Sequence, residues 1–324
     1  MDGSISGRQA GAWGFCAASV PAVLTCAGLG WGWVLLGCAI AAGYYVLTQE
    51  LAGGAVYLPE FTVRAFGKAA GRVVLAIGGV FTLLAAAQTA GRAGIAFPDG
   101  KAGLLARGVI VLLGTLAGEK GAKQAAKVCG VLFLVLAGLY TIIILAAAKS
   151  AQLRWMAPWG GARQTLEVVP SLLALTCLRF LPGRTQRVKR GWLGLLAICP
   201  AVLAAVTVGC LSPRLTQQLT FPFYTVSQSL SVLGVMERLE PIVSAALLMG
   251  FFALESLLLE AGREQIVWAA PALTGKSWGR AALGIAVFGL SFVTDGIPAE
   301  AWALGAAVCW GIAPLLTQLI VAIK

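Results

Sequence analysis

The sequence predicts an all-α, polytopic membrane protein, and three observations carry that reading. Hydrophobic residues make up 59% of the 324-residue chain and charged residues only 11%, against about a quarter in an ordinary soluble domain. The apolar residues come in runs near the roughly 20 positions a helix needs to cross a hydrocarbon layer about 30 Å thick. The runs do not alternate with period two, so they are not barrel strands, and backbone polar groups at that depth are satisfied within helices.

Ten spans are expected in order. Residues 9–28 form the first, with Pro21 inside it, and a Gly-Trp turn leads to the second at 31–49. The third, 73–97, stops at the turn Pro98, Asp99, Gly100. Residues 102–118 form a short fourth span carrying Arg107, followed by 128–148, 166–182 and 192–211. The last three are 241–259, a short one at 281–294, and 297–323. Residues 1–324 thus read as one integral-membrane domain. Met1 to Arg8 carry no strongly basic leader and no cleavage site before the first run, so that helix is expected to be retained.

Loop charge sets the orientation. With the N-terminus inside, the inner segments hold fifteen Lys and Arg residues and the outer loops six. That bias places both termini in the cytoplasm. Two connections are longer than turns. Residues 119–127, rich in lysine, read either as a short basic helix at the inner surface or as a plain charged loop. Residues 212–240, with Phe221, Pro222, Phe223 and Tyr224 in the middle, read as an external half-helix lying on the membrane or capping a vestibule.

Several functions are excluded by what the chain lacks. It contains no histidine, which removes Ser-His and Cys-His nucleophile pairs and histidine metal or haem ligation. Its eight cysteines form no CxxC pair and sit in apolar runs, where cysteine acts as a small hydrophobe. No metal site, cofactor or enzymatic constellation is expected. The net charge of +11 is scattered between apolar runs and is not gathered into a patch, so no nucleic-acid partner is expected either. The expected surroundings are a lipid bilayer.

The remaining candidates are polar groups at membrane depth. Glu255, within Phe-Phe-Ala-Leu-Glu-Ser-Leu, is the clearest, since an ionisable residue there costs about 2.5–3.5 kcal/mol on insertion scales. Arg92, Arg107 and Arg179 lie near span ends and are expected to snorkel. Pro21 cannot donate its amide and frees the carbonyl of Ala17, so Cys16 to Pro21 is a candidate break in the first helix. Ser171, Thr176 and Cys177 lie between Pro170 and Pro182, and Gln88 and Thr89 are polar within the third span. Side chains of this kind also serve as hydrogen-bonding glue between helices.

Several stretches carry a family resemblance. Residues 221–240 open on Phe221, Pro222 and Phe223, pass through a Ser-Val stretch and close on Glu237, Arg238 and Leu239. Together with Ile5, Ser6 and Gln9, with Pro59, Thr62, Gly67, Lys68 and Gly71, with Gly118 to Gly121, and with Pro314, they resemble the endospore germination permeases. These are the B subunits of germinant receptors, within the amino acid–polyamine–organocation transporter superfamily. The chain departs from that pattern at Ala17, Ala18 and Ser19, where glycines are usual, at Gln228, and over residues 175–182.

The resemblance implies a LeuT-like five-plus-five inverted repeat, roughly 9–148 and 164–323, with the first and sixth helices broken around a central site. It implies a sensing subunit that binds a small nutrient germinant, often an amino acid. Partner A-type and C-type receptor subunits and the inner spore membrane are also implied. On that plan the backbone of Ala17, Ala18 and Ser19 beside Pro21 holds the ligand's charged end, with Gln88 and Thr176 next to it. Two other readings stay open: a permease of the same superfamily coupled to protons through Glu255, and a scaffold subunit that binds nothing.

Overall fold

The computed structural model describes residues 5–24, 30–51, 57–97, 100–156, 168–169, 172–181, 187–219, 221–229, 240–273 and 278–323. Among these residues there is no strand. Helix α1 is Gly7–Leu24, α2 Trp31–Leu51, α3 Leu58–Phe66, α4 Lys68–Ala96, α5 Gly100–Glu119 and α6 Ala122–Ala148. A 3-10 turn at Ala174–Arg179 precedes α7, Arg190–Leu211. Two short helices follow, α8 at Pro213–Gln218 and α9 at Pro222–Ser229, and then the long α10, Glu240–Ala269. Helix α11 is Trp278–Leu290, and the last helix comprises α12, Ala299–Ala306, a π-helical turn, Ala307–Ile312, and α13, Ala313–Ile323.

Seven described helices are long and apolar enough to cross a membrane, the make-up of a multi-pass membrane protein. Their outward faces are apolar and exposed, as with Val131, Leu134 and Leu145 on α6, and such faces fit contact with lipid. The expected first, sixth and ninth spans are the ones outside this group. Helix α1 is rich in small residues and enclosed by its neighbours, with every residue buried except Arg8, Gln9 and Leu24. It meets protein where the other helices meet lipid, so its composition is free to be less apolar. The described part of the sixth is the tight turn Ala174–Arg179, and the ninth is the 13-residue α11.

The helices begin and end further out than their apolar cores. Helix α4 starts at Lys68, five residues before the expected boundary, with Lys68 and Arg72 exposed. The lysine-rich stretch 119–127 is neither a separate helix nor a loop. Helix α5 runs through Glu119, Gly121 turns the chain at φ 88°, and Lys123 and Lys127 lie exposed on the opening turns of α6. That turn needs a residue tolerant of positive φ, which glycine supplies.

The bundle centres on α10, which packs along α4, α5 and α1. Small residues allow the close crossing: a Cβ on Gly79 would stand 2.9 Å from Ile266, and one on Gly262 would stand 2.9 Å from Leu83. The start of α1 and the end of α13 lie at the same end of the bundle. Gly7 sits against the Arg187 carbonyl, and the amide of Gln318 bridges the Thr48 carbonyl (2.7 Å) and the Arg179 guanidinium (3.1 Å). At this end too, Glu50 of α2 pairs with Arg187 and Arg190.

Candidate functional site

Four elements and a tight turn converge on one cavity of about 80 Å³. Helix α4 contributes Ala85, Gln88, Thr89 and Arg92, and α10 contributes Phe251, Leu254 and Leu258. Each set follows helical spacing, so each is one face of its helix. Val20 and Pro21 close the cavity from α1, Ala174 from the 3-10 turn, and Trp310 from the π-helical turn. The α4 contribution is largely polar, and the rest of the lining is apolar and aromatic. A single water needs about 10–15 Å³ measured in this way, so the space suits several waters or a small molecule.

Trp310 is the best-fixed part of the lining. Its indole N–H donates to Thr82 Oγ1 (3.1 Å), and its ring meets Phe81 edge-on with centroids 5.0 Å apart. Thr82 donates to the Gly78 carbonyl (2.8 Å) and also accepts from Gln265 Nε2 (3.3 Å), so its hydroxyl uses all of its bonding capacity. The π turn shifts carbonyls out of register, and Tyr44 of α2 takes them up, donating toward the carbonyls of Trp310 (3.1 Å) and Gly311 (2.7 Å). Such turns recur at functional sites.

The expected site residues are divided by this arrangement. Pro21 and Gln88 share the cavity. Thr176 lines a second, smaller cavity of about 20 Å³ with Cys38, Tyr44 and Tyr45. The expected break at Cys16 to Pro21 is a correction: α1 is helical without interruption from Gly7 to Leu24. A proline near the end of a helix forfeits one hydrogen bond, and here the remaining turns hold. Ala17 and Ala18 are buried, and Ser19 donates back to the Cys16 carbonyl (2.6 Å). Ser19 also packs on α10, where a Cβ on Gly250 would stand 2.5 Å from its Oγ.

Glu255 is fully buried, and neither carboxyl oxygen has a hydrogen-bond partner among the described residues. It is not among the cavity's lining residues and packs against α5, where Gly114 leaves a notch: a Cβ there would stand 3.1 Å from the Glu255 Cγ. Of the three arginines expected to snorkel, only Arg92 is exposed, at the open side of the cavity. Arg107 is half-buried and donates to the Ser291 carbonyl (3.0 Å) beside the Phe292 ring. Arg179 is 3% exposed, donates to the Tyr45 carbonyl (2.7 Å) and lies over the Tyr45 ring.

Pro222 and Phe223 open α9, which docks on the bundle: Phe223 is buried with its ring 6.5 Å from that of Tyr140. Proline at the first turn of a helix loses no bond that the helix would make. Glu237 and Arg238 lie outside the described residues, as do Pro170, Ser171 and Pro182.

Sequence reasoning missed the apolar wall and an ion cluster at the far end of α10. Glu260, buried, pairs with Arg263 (3.1 Å) and with Arg280 of α11 (3.6 Å). One turn on, Glu264 accepts from the Tyr57 hydroxyl, which in turn accepts from Trp268 Nε1 (2.6 Å). Burial first, and then the Glu264 carboxylate, push the Tyr57 phenol well above its ordinary range. The signal was present in the sequence as alternating charges at helical spacing beyond residue 259.

A multi-pass helical protein with a small cavity at the meeting of α1, α4, α10 and the π-helical turn of the last helix is the class these observations define. Comparison with models of known protein families returned no match, and neither did comparison with curated proteins.

Proposed function

We propose that this chain is a permease-like, nutrient-sensing subunit of the germinant-receptor type, binding a small molecule such as an amino acid in the cavity between α1, α4, α10 and Trp310. The observation that carries the reading is the cavity's construction, with polar groups on α4 and an otherwise apolar and aromatic lining. Such a space holds one small molecule in one orientation. In this proposal the chain crosses the membrane ten times as two inverted repeats, with both termini cytoplasmic. The basic end that holds Lys68, Arg72, Lys123 and Lys127 then faces inward. A ligand that prefers one arrangement of the bundle shifts its population, and A-type and C-type partner subunits respond to the shift.

The test is thermal unfolding of the purified full chain in detergent against a panel of amino acids and other small nutrients. A true ligand at a hundred times its dissociation constant raises stability by about 2.7 kcal/mol. Silence across the panel from folded protein favours a scaffold subunit.

Glu255 supports a second reading, a proton-coupled permease, because a buried carboxyl with no hydrogen-bond partner among the described residues is the expected form of a proton carrier in a membrane. Glu255→Gln keeps the size and is expected to change unfolding free energy by less than about 1 kcal/mol. In proteoliposomes a coupled permease loses proton-driven accumulation on this change, whereas a sensor keeps its ligand response.

A further inference from the structure

The surroundings of Glu255 give it access to a proton from one end of the bundle. This step rests on reading Glu255 as a proton carrier. Its side chain is fully buried, neither oxygen has a hydrogen-bond partner, and no charged or titratable group acts on it among the described residues. Ser256, beside it, spends its hydroxyl on the Ala253 carbonyl (3.0 Å), and Trp13 of α1 donates to the same carbonyl (2.9 Å). Space for the carboxyl comes from α5, through the notch at Gly114. Gly118 lies one turn further on the same face of α5. A Cβ there would stand 2.9 Å from the Glu260 Oε2 and 4.0 Å from the Arg280 Nε. The two glycines thus leave a seam between α5 and α10 that takes in both carboxyls, at levels about 6 Å apart along α5.

The seam differs in its two directions. Toward Gly100, the same face of α5 presents Ile110 and Val111, both buried and apolar. Toward Glu119, Leu259 fills the notch beside Glu255, a Cβ on Gly114 standing 3.0 Å from its Cδ1. Beyond it Glu260 pairs with Arg263 and Arg280, whose side chains are 24% and 28% exposed. The Arg280 Nε is buried with no hydrogen-bond partner among the described residues, so a polar donor lines this stretch. Polar groups therefore lead from the seam to water at the Glu260 end, while apolar side chains fill the other.

We propose that the α5–α10 seam is a one-sided proton path separate from the ligand cavity: Glu255 holds the proton and exchanges it, past Leu259, with Glu260 and the water beyond. In each exchange Glu255 gives up its O–H proton and becomes a carboxylate. Glu260 takes that proton and passes it to water, and the reverse steps restore Glu255. Ile110 and Val111 close the opposite direction.

The experiment treats the full chain with dicyclohexylcarbodiimide, a lipid-soluble reagent for protonated carboxyls. The carboxyl O–H adds across a C=N bond to give an O-acylisourea, whose acyl group then migrates to nitrogen as a stable N-acylurea, read by peptide mass. The chain is held in proteoliposomes sorted for one orientation, with pH set separately on the two faces. Glu255 is expected to be modified at neutral pH, and Glu255→Gln to remove the signal. Modification is expected to fall as pH rises on the Glu260 face and to ignore the pH of the other face. Glu260→Gln leaves two arginines beside the seam, so it is expected to lower the pH of half-maximal modification by about one unit. A merely structural Glu260 leaves that midpoint in place. If modification follows the opposite face, or both faces equally, or Glu260→Gln leaves the midpoint unmoved, the one-sided path is wrong while Glu255 stands as a proton carrier. If folded wild-type chain is unmodified at every pH, the proton-carrier reading fails and the path with it.

Discussion

Trp310→Ala is expected to lower the unfolding free energy by about 3–5 kcal/mol and to abolish stabilisation by any ligand of the central cavity. The residue is 5% exposed, meets Phe81 edge-on and closes part of the cavity lining. Truncation removes that contact area and opens the cavity to the space above Thr82. It also withdraws one of the two donors that Thr82 receives. Trp310→Phe separates the contributions: the ring stays and the N–H goes, at an expected cost of about 1 kcal/mol. Unfolding in detergent with and without ligand measures both. Equal costs for the two substitutions would show that the wall is not packed as described.

Glu260→Ala carries the second large effect, an expected loss of about 3 kcal/mol. Glu260 is 4% exposed, and its removal leaves the guanidinium groups of Arg263 and Arg280 facing each other in a partly buried niche. Breaking a buried pair by deleting one partner costs more than the pair itself contributes. Glu50→Ala is the contrasting case. Glu50 is about half exposed (46%), as is Arg187 (55%), so water replaces the lost partner at a cost below about 1 kcal/mol. Similar losses for the two variants would overturn the assignment of Glu260 to a buried cluster.

These residues also mark where sequence reading stops. The class of protein was legible because membrane depth imposes a long apolar run on any lipid-facing helix. Helix centres were legible and helix ends were not. The eighth span was expected to end at residue 259, since Glu260, Arg263 and Glu264 resemble an exit into water. In the structure they satisfy one another and α10 continues to Ala269. Lys123 and Lys127 misled in the same way, because their long stems let a helix start in the polar layer. In the site, Pro21 and Gln88 were legible as irregular or polar residues in apolar surroundings. Phe251, Leu254 and Trp310 were not, since an apolar residue in an apolar run carries no mark of which partner it faces. Arg92 was read as reaching for the headgroups, and periodicity alone could not tell a water-facing arginine from one at a cavity mouth.

The π-helical turn at Ala307–Ile312 has a consequence for the phase of the last helix. Relative to an unbroken α-helix, such a turn holds one surplus residue, and one residue corresponds to about 100° of rotation. Upstream, Gly305 presses on Phe81; downstream, Gln318 reaches Thr48 and Arg179. With an α-helical turn in its place, the two halves could not meet both sets of partners at once. The surplus residue is a rotational offset, and it lets one continuous helix present a face to α4 on one side of the cavity and another face to α2 on the other.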